Sequence, residues 1–98
     1  MFCTIRQYDE VDDVDAAIKR VSEDLLPAIR DMEGFQDYRL VKCSGDGGEV
    51  VSFTVFDTEE QAEKANEAVA ALIEKSMSDL ITEEPAILVG EIVIESRR

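Results

Sequence analysis

Two short stretches of this chain echo each other. IRQYD at residues 5–9 and FTVFD at residues 53–57 each close a run of strand-forming residues and lead into an acidic helix start. A unit repeated in this way predicts two halves, each a strand followed by a helix. Residues 2–8, FCTIRQY, alternate as a strand. After the carboxylates of Asp9 to Asp15, the stripe Val14, Ala17, Ile18, Val21, Leu25 and Ile29 predicts a helix to about residue 32. Pro27 should kink or split that helix, and Gly34 should end it as a left-handed cap. Phe35 to Cys43 and Val50 to Phe56 read as a hairpin around the turn SGDGG at residues 44–48. Asp57 or Thr58 caps the next helix, with Glu60 and Gln61 at capping-box spacing, and that helix runs to about Met77. AILVGEIVIE, residues 86–95, is the last strand. The order β-α-β-β-α-β predicts the ferredoxin-like α+β fold: a four-stranded antiparallel sheet, strand order 4-1-3-2, with both helices on one face.

Ninety-eight residues, 45% of them hydrophobic, suffice for one domain spanning 1–98. The net charge of −13 argues against nucleic acid and against anionic membrane surfaces, since Arg97-Arg98 is the one basic cluster. No apolar run approaches a membrane span, and the opening FCTIRQYD has none of the features of a secretion signal, so a soluble cytoplasmic protein is expected. The acidity reads as a solvated coat. Histidine is absent, which removes the commonest general base and metal ligand. Asp12, Asp13 and Asp15 read as a charged helix start, and Glu59, Glu63 and Glu67 as a wet helix face, so no metal site is expected. Strand order 4-1-3-2 separates Cys3 from Cys43 by two strand spacings, about 9–10 Å, too far for a disulfide.

Parity divides the sheet into two rows. Val51, Phe53 and Val55 suit the helices, and by the repeat Cys3, Ile5 and Gln7 share their face. Thr4, Arg6, Tyr8, Val50, Ser52, Thr54 and Phe56 then form the opposite face, too apolar to stay wet. The last strand is apolar at both parities, which predicts burial on both sides. A homodimer through sheet faces answers both demands, with Arg6 and Glu91 as a possible interface pair.

One residue breaks the inward stripe of the second helix. In EKANEAVAAL, residues 63–72, Asn66 stands four after Ala62 and three before Val69, where a leucine would pack. Its amide must find backbone, water or ligand. Gln7 on the expected helix-facing row is a candidate second polar group in the same cavity, and Tyr38 on the edge strand is a candidate for its mouth. If Asn66 faces an open cavity, Asn66→Leu should fold at least as well as the parent chain.

Three stretches carry a resemblance: LPAIRDMEGF at 26–35, VSFTVFDTEEQAEKANEA at 51–68 and PAILVGEIVI at 85–94. In them the chain resembles the antibiotic biosynthesis monooxygenase group of dimeric α+β barrel proteins. The resemblance implies the dimeric barrel and, for the quinone-forming members, oxygenase chemistry without metal or flavin, in which an electron-rich phenolate reduces oxygen directly. It places Asn66 at an asparagine that those enzymes follow one turn later with tryptophan. Here Ala70 stands at that place, and the chain has no tryptophan. Heme-degrading relatives need a histidine ligand, which this chain lacks. Two functions follow as expectations. One is a cofactor-independent oxygenase acting on a small aromatic or polyketide-like compound, its catalytic residues unassigned. The other is a non-catalytic ligand-binding or structural dimer.

Overall fold

The computed structural model describes residues 1–45 and 47–98. Strand β1 (Phe2–Tyr8) is followed by α1 (Val14–Arg20), a π-helical turn (Val21–Leu25) and α2 (Leu26–Arg30), which together form one broken helix. β2 (Phe35–Lys42), β3 (Val50–Phe56), α3 (Glu59–Met77) and β4 (Ala86–Glu91) complete the order. All pairings are antiparallel, and the sheet runs β2-β3-β1-β4. This is the ferredoxin-like α+β arrangement that the repeat implies.

The helix boundaries follow from local chemistry. Asp13 caps α1 by accepting from the Ala16 N–H at 3.1 Å. Pro27 has no N–H to offer the carbonyl four residues back, and the helix splits just before it, with a π turn taking up the register. Gly34, at φ +82°, reverses the chain beyond α2, and its carbonyl accepts from the Asp57 N–H at 3.0 Å. Thr58 and Gln61 close a reciprocal capping box on α3. The hairpin is held at its base by Cys43 N–H donating to the Glu49 carbonyl at 3.1 Å; within SGDGG, Asp46 lies outside the described residues. Gly48, at φ +68°, passes so close to Val11 that a Cβ would meet the Val11 carbonyl oxygen at 2.7 Å.

The two faces of the sheet are the reverse of the sequence expectation. Thr4, Arg6, Tyr8, Val50, Ser52, Thr54 and Phe56 are all buried under the helices. Cys3, Ile5, Val51 and Phe53 lie on the open face, half-buried, and Gln7 is exposed there. Thr54 is therefore an inner residue. Arg6, expected to meet Glu91 across an interface between subunits, is likewise buried under the helices and lies away from the open face. The reason lies in what the inner row must do. Its small and polar members leave space between sheet and helices, and a packed oily row would have filled it.

The helices meet over that row. Ala17, Leu25 and Ile29 of the first helix pack with Val69 and Met77 of α3 and with Tyr8 and Val50 of the sheet. A second cluster joins Phe56, Ala62 and Ala65, with the Phe35 ring edge-on to Phe56 at 6.1 Å. Arg20 ties the helices together at one end, donating to the Ser76 carbonyl at 2.9 Å and pairing with Asp79.

Within the single chain β4 has no cover of its own. It is shorter than the sequence pattern, ending at Glu91, and it is exposed throughout, with Leu88 67% accessible. Beyond it the Ile92 N–H still donates to the Met1 carbonyl at 2.9 Å, but Val93 and Ile94 are bare. Neither helix reaches far enough to cover this edge. No helix among the described residues is long and apolar enough to cross a membrane.

Candidate functional site

The inner row of the sheet and the two helices enclose a narrow cavity. Arg6, Tyr8, Tyr38 and Ser52 supply its polar wall, and Leu25 and Val69 are among the apolar side chains opposite. It admits the centres of water molecules over about 40 Å³. One water needs roughly 10–15 Å³ on that measure, so there is room for about three. A wider cleft of about 560 Å³ on the same measure opens beside it, between the end of α3 and β4. Arg6, Tyr8, Ile73, Met77 and Ile81 line both spaces. The two spaces adjoin, and Arg6 and Tyr8 stand between them.

Arg6 is the dominant charge of the site. Its residue is only 3% exposed, and no carboxylate among the described residues lies within ion-pair distance of it. Nη2 donates to the Asn66 carbonyl oxygen at 2.9 Å and to Asn66 Oδ1 at 3.2 Å. These two bonds use one nitrogen, leaving Nη1 and Nε for other acceptors. A buried guanidinium ordinarily sits against a carboxylate; this one has neutral oxygens.

The two phenols beside it are held protonated. Burial pushes the Tyr8 phenol up, against the pull of the Arg6 guanidinium close beside its oxygen. The buried Tyr8 hydroxyl has no hydrogen-bond partner of normal geometry, and its O–H is left without an acceptor. Tyr38 is pushed up to about 12, first by burial and then by the neighbouring Tyr8, with Arg6 and Ser52 pulling the other way. Near neutral pH both are hydrogen-bond donors and neither is a base.

Of the residues singled out by sequence, Tyr38 lines the inner cavity. Asn66 is half-buried on the far side of Arg6 and touches neither space directly; its amide is answered by a protein group. Gln7 points to the open face, where its Nε2 donates to Asp9 Oδ1 at 3.4 Å, so it shares no cavity with Asn66. Ala70, at the place of the tryptophan in the resemblance, lines the outer cleft. Parity alone puts Arg6 and Tyr8 on the outward row, whereas the packing sets both in the cavity wall. The signal for them was present: an alternating row of threonine, arginine and tyrosine beside serine and threonine is too polar for packing and suits the wall of a cavity.

Comparison with known proteins agrees with this architecture. A Mycobacterium tuberculosis protein superposes with TM-score 0.74 at 18% identity, covering 98% of both chains. A dimeric ferredoxin-like protein from an uncultured marine organism superposes with TM-score 0.77 at 16% identity over the whole of both chains. A Streptomyces coelicolor monooxygenase in complex with the ligand nanaomycin D gives TM-score 0.71 at 18% identity, covering 96% of this chain and 92% of its own. At such identities these likenesses speak for the fold alone. No curated protein gives a significant sequence match. The sequence profile of the family described as antibiotic biosynthesis monooxygenase, however, matches residues 1–75. With residues 1–75 of its 98 matched and the ferredoxin-like fold in place, the chain belongs to the antibiotic biosynthesis monooxygenase family.

Proposed function

We propose that the protein binds a small aromatic or polyketide-like compound in the cleft beside Arg6 and Tyr8 and oxidises it with dioxygen, without metal or organic cofactor. The observation that carries this reading is the cluster of Arg6, Tyr8 and Tyr38 at the junction of an aromatic-sized cleft and an inner cavity with room for a diatomic molecule. On an anthrone-type substrate the overall change is a ring CH2 plus O2 giving a ring C=O plus water. The chain's own part is to orient the ring, to exclude water from the inner cavity and to present donors to an oxygen that gains negative charge. Arg6 provides a fixed charge for that oxygen, and the protonated Tyr8 and Tyr38 provide hydrogen bonds.

The test is oxygen uptake with a panel of hydroquinones and anthrones. Turnover above the spontaneous rate, lost in Tyr8→Phe while the fold is retained, supports the reading. A second reading, a non-catalytic binding dimer, draws on the same phenols: raised as they are, neither is a base for the substrate's proton. Saturable binding of an anthrone with oxygen uptake at the spontaneous rate selects it.

In either case we propose a homodimer through the open sheet face. Ile5, Val51, Phe53 and the bare Leu88 form an apolar field there. The marine ferredoxin-like neighbour is itself dimeric, which fits. A cytoplasmic location is proposed with it, from the two free thiols.

A further inference from the structure

The feature of the site that general chemistry leaves incomplete is Arg6. Its guanidinium is enclosed, its two hydrogen bonds go to neutral oxygens on one nitrogen, and the adjacent buried Tyr8 hydroxyl lacks a partner. An enclosed cation and an enclosed unpaired donor, side by side on one wall, are together the binding half of an oxyanion site. The rim of the cleft has the opposite character: Glu74, Glu83 and Glu84 line it. A ligand bearing two or more negative charges meets these carboxylates before it reaches Arg6, while a single charge can be carried to the inner end with the neutral body left in the cleft.

We propose that the ligand of this site is a planar aromatic monocarboxylate, whose oxygens pair with Arg6 and Tyr8. The ligand is the counter-ion that the fold omits. Asn66 is then a positioning residue: it holds Nη2 and leaves the remaining N–H donors of Arg6 free for the ligand. This inference rests on the proposed aromatic-binding cleft and adds to it the charge of the ligand.

The probes are 2-naphthoate, its neutral isostere 2-naphthamide and the dianion naphthalene-2,6-dicarboxylate, with 4-nitrophenol above its pKa as the phenolate arm. Binding is read by calorimetry, independently of oxygen uptake. The expected result is 2-naphthoate binding at least about tenfold more tightly than 2-naphthamide, with the dicarboxylate weaker than 2-naphthoate. 4-Nitrophenolate should compete at least about tenfold more weakly than 2-naphthoate, and competition as tight as that of 2-naphthoate overturns the carboxylate assignment. Arg6→Met should abolish the preference for charge. Since that variant alters the core, Asn66→Asp is the second arm. It keeps Arg6 but sets a carboxylate where Oδ1 now stands, 3.2 Å from Nη2, so it should melt no lower than the parent chain and lose most of its affinity for 2-naphthoate. Equal binding of amide and carboxylate, or undiminished naphthoate binding by Asn66→Asp, overturns the inference while leaving an aromatic site in place. If none of the probes binds, the aromatic cleft itself is refuted and this inference with it.

Discussion

An asparagine on the inward stripe of a helix poses a choice between ligand and protein as its partner, and here the partner is Arg6. That decides what its replacement does. Asn66→Leu removes the side-chain acceptor, leaves the backbone carbonyl in place and adds a methyl-rich group beside a buried charge. It should destabilise by about 1–3 kcal/mol, against the sequence expectation that leucine would be neutral there. In a domain of this size each kcal/mol lowers Tm by about 4–8 °C, so scanning calorimetry reads the difference easily. An unchanged Tm would mean that Arg6 is content with the backbone carbonyl alone. Tyr38 sets a different expectation, at alkaline pH. Its folded pKa is raised to about 12, whereas an unfolded tyrosine ionises near pH 10. Between these values the unfolded chain has released a proton that the folded chain still holds, so the unfolded state binds fewer protons and stability falls as pH rises. Below about pH 10 both states hold the proton and this contribution is flat. Urea midpoints measured from about pH 9 to about pH 12 should fall, and fall less steeply in Tyr38→Phe.

At the scale of elements, the tightest coupling is between two chain reversals. Gly34 has a left-handed backbone, and a Cβ built on it would collide with the side-chain amide of Gln61, the same amide that caps α3 through Thr58. Gly34→Ala should therefore carry two penalties, about 1 kcal/mol of backbone strain and the loss of the capping contact. In a Gln61→Ala background only the first remains. A double-mutant cycle on urea stability should show clear non-additivity, and strict additivity would place the alanine without displacing Gln61. Elements of this kind were legible because their signals are local. The caps at Gly34 and Thr58, the break at Pro27 and the antiparallel strand order all follow from neighbouring residues and their spacing. The faces of the sheet were not legible, because parity separates two rows without saying which is inside. Hydrophobicity then pointed the wrong way: Val51, Phe53 and Val55 are oilier than Ser52 and Thr54, yet the latter lie under the helices. The site inherits that inversion. Tyr38 lines the inner cavity, Gln7 faces away from it, and Arg6 and Tyr8 come into view only with the packing.

For the molecule as a whole, charge and bare apolar surface oppose each other. With a net charge of −13 on 98 residues, self-repulsion works against compaction, and added ions screen it. Tm should rise between low salt and about 1 M potassium chloride, where the screening length is roughly 3 Å. A flat or falling Tm would assign the acidic coat no energetic role. The open face carries the proposed assembly. Leu88 is two-thirds exposed, so Leu88→Asp should leave the chain folded and convert the proposed dimer to monomer, as read by light scattering and circular dichroism. A Leu88→Asp protein that stays dimeric would move the interface away from the sheet.

The same bare surface fixes how that association responds to temperature. Burial of apolar area is driven by entropy near room temperature and carries a negative heat-capacity change, so its strength declines on cooling. A pairing built on Ile5, Phe53 and Leu88, with β4 and the exposed Val93 and Ile94 alongside, should be loosest in the cold. A dilute sample moved from a warm bench to an ice bath should shed dimer rather than keep it, and regain it on rewarming.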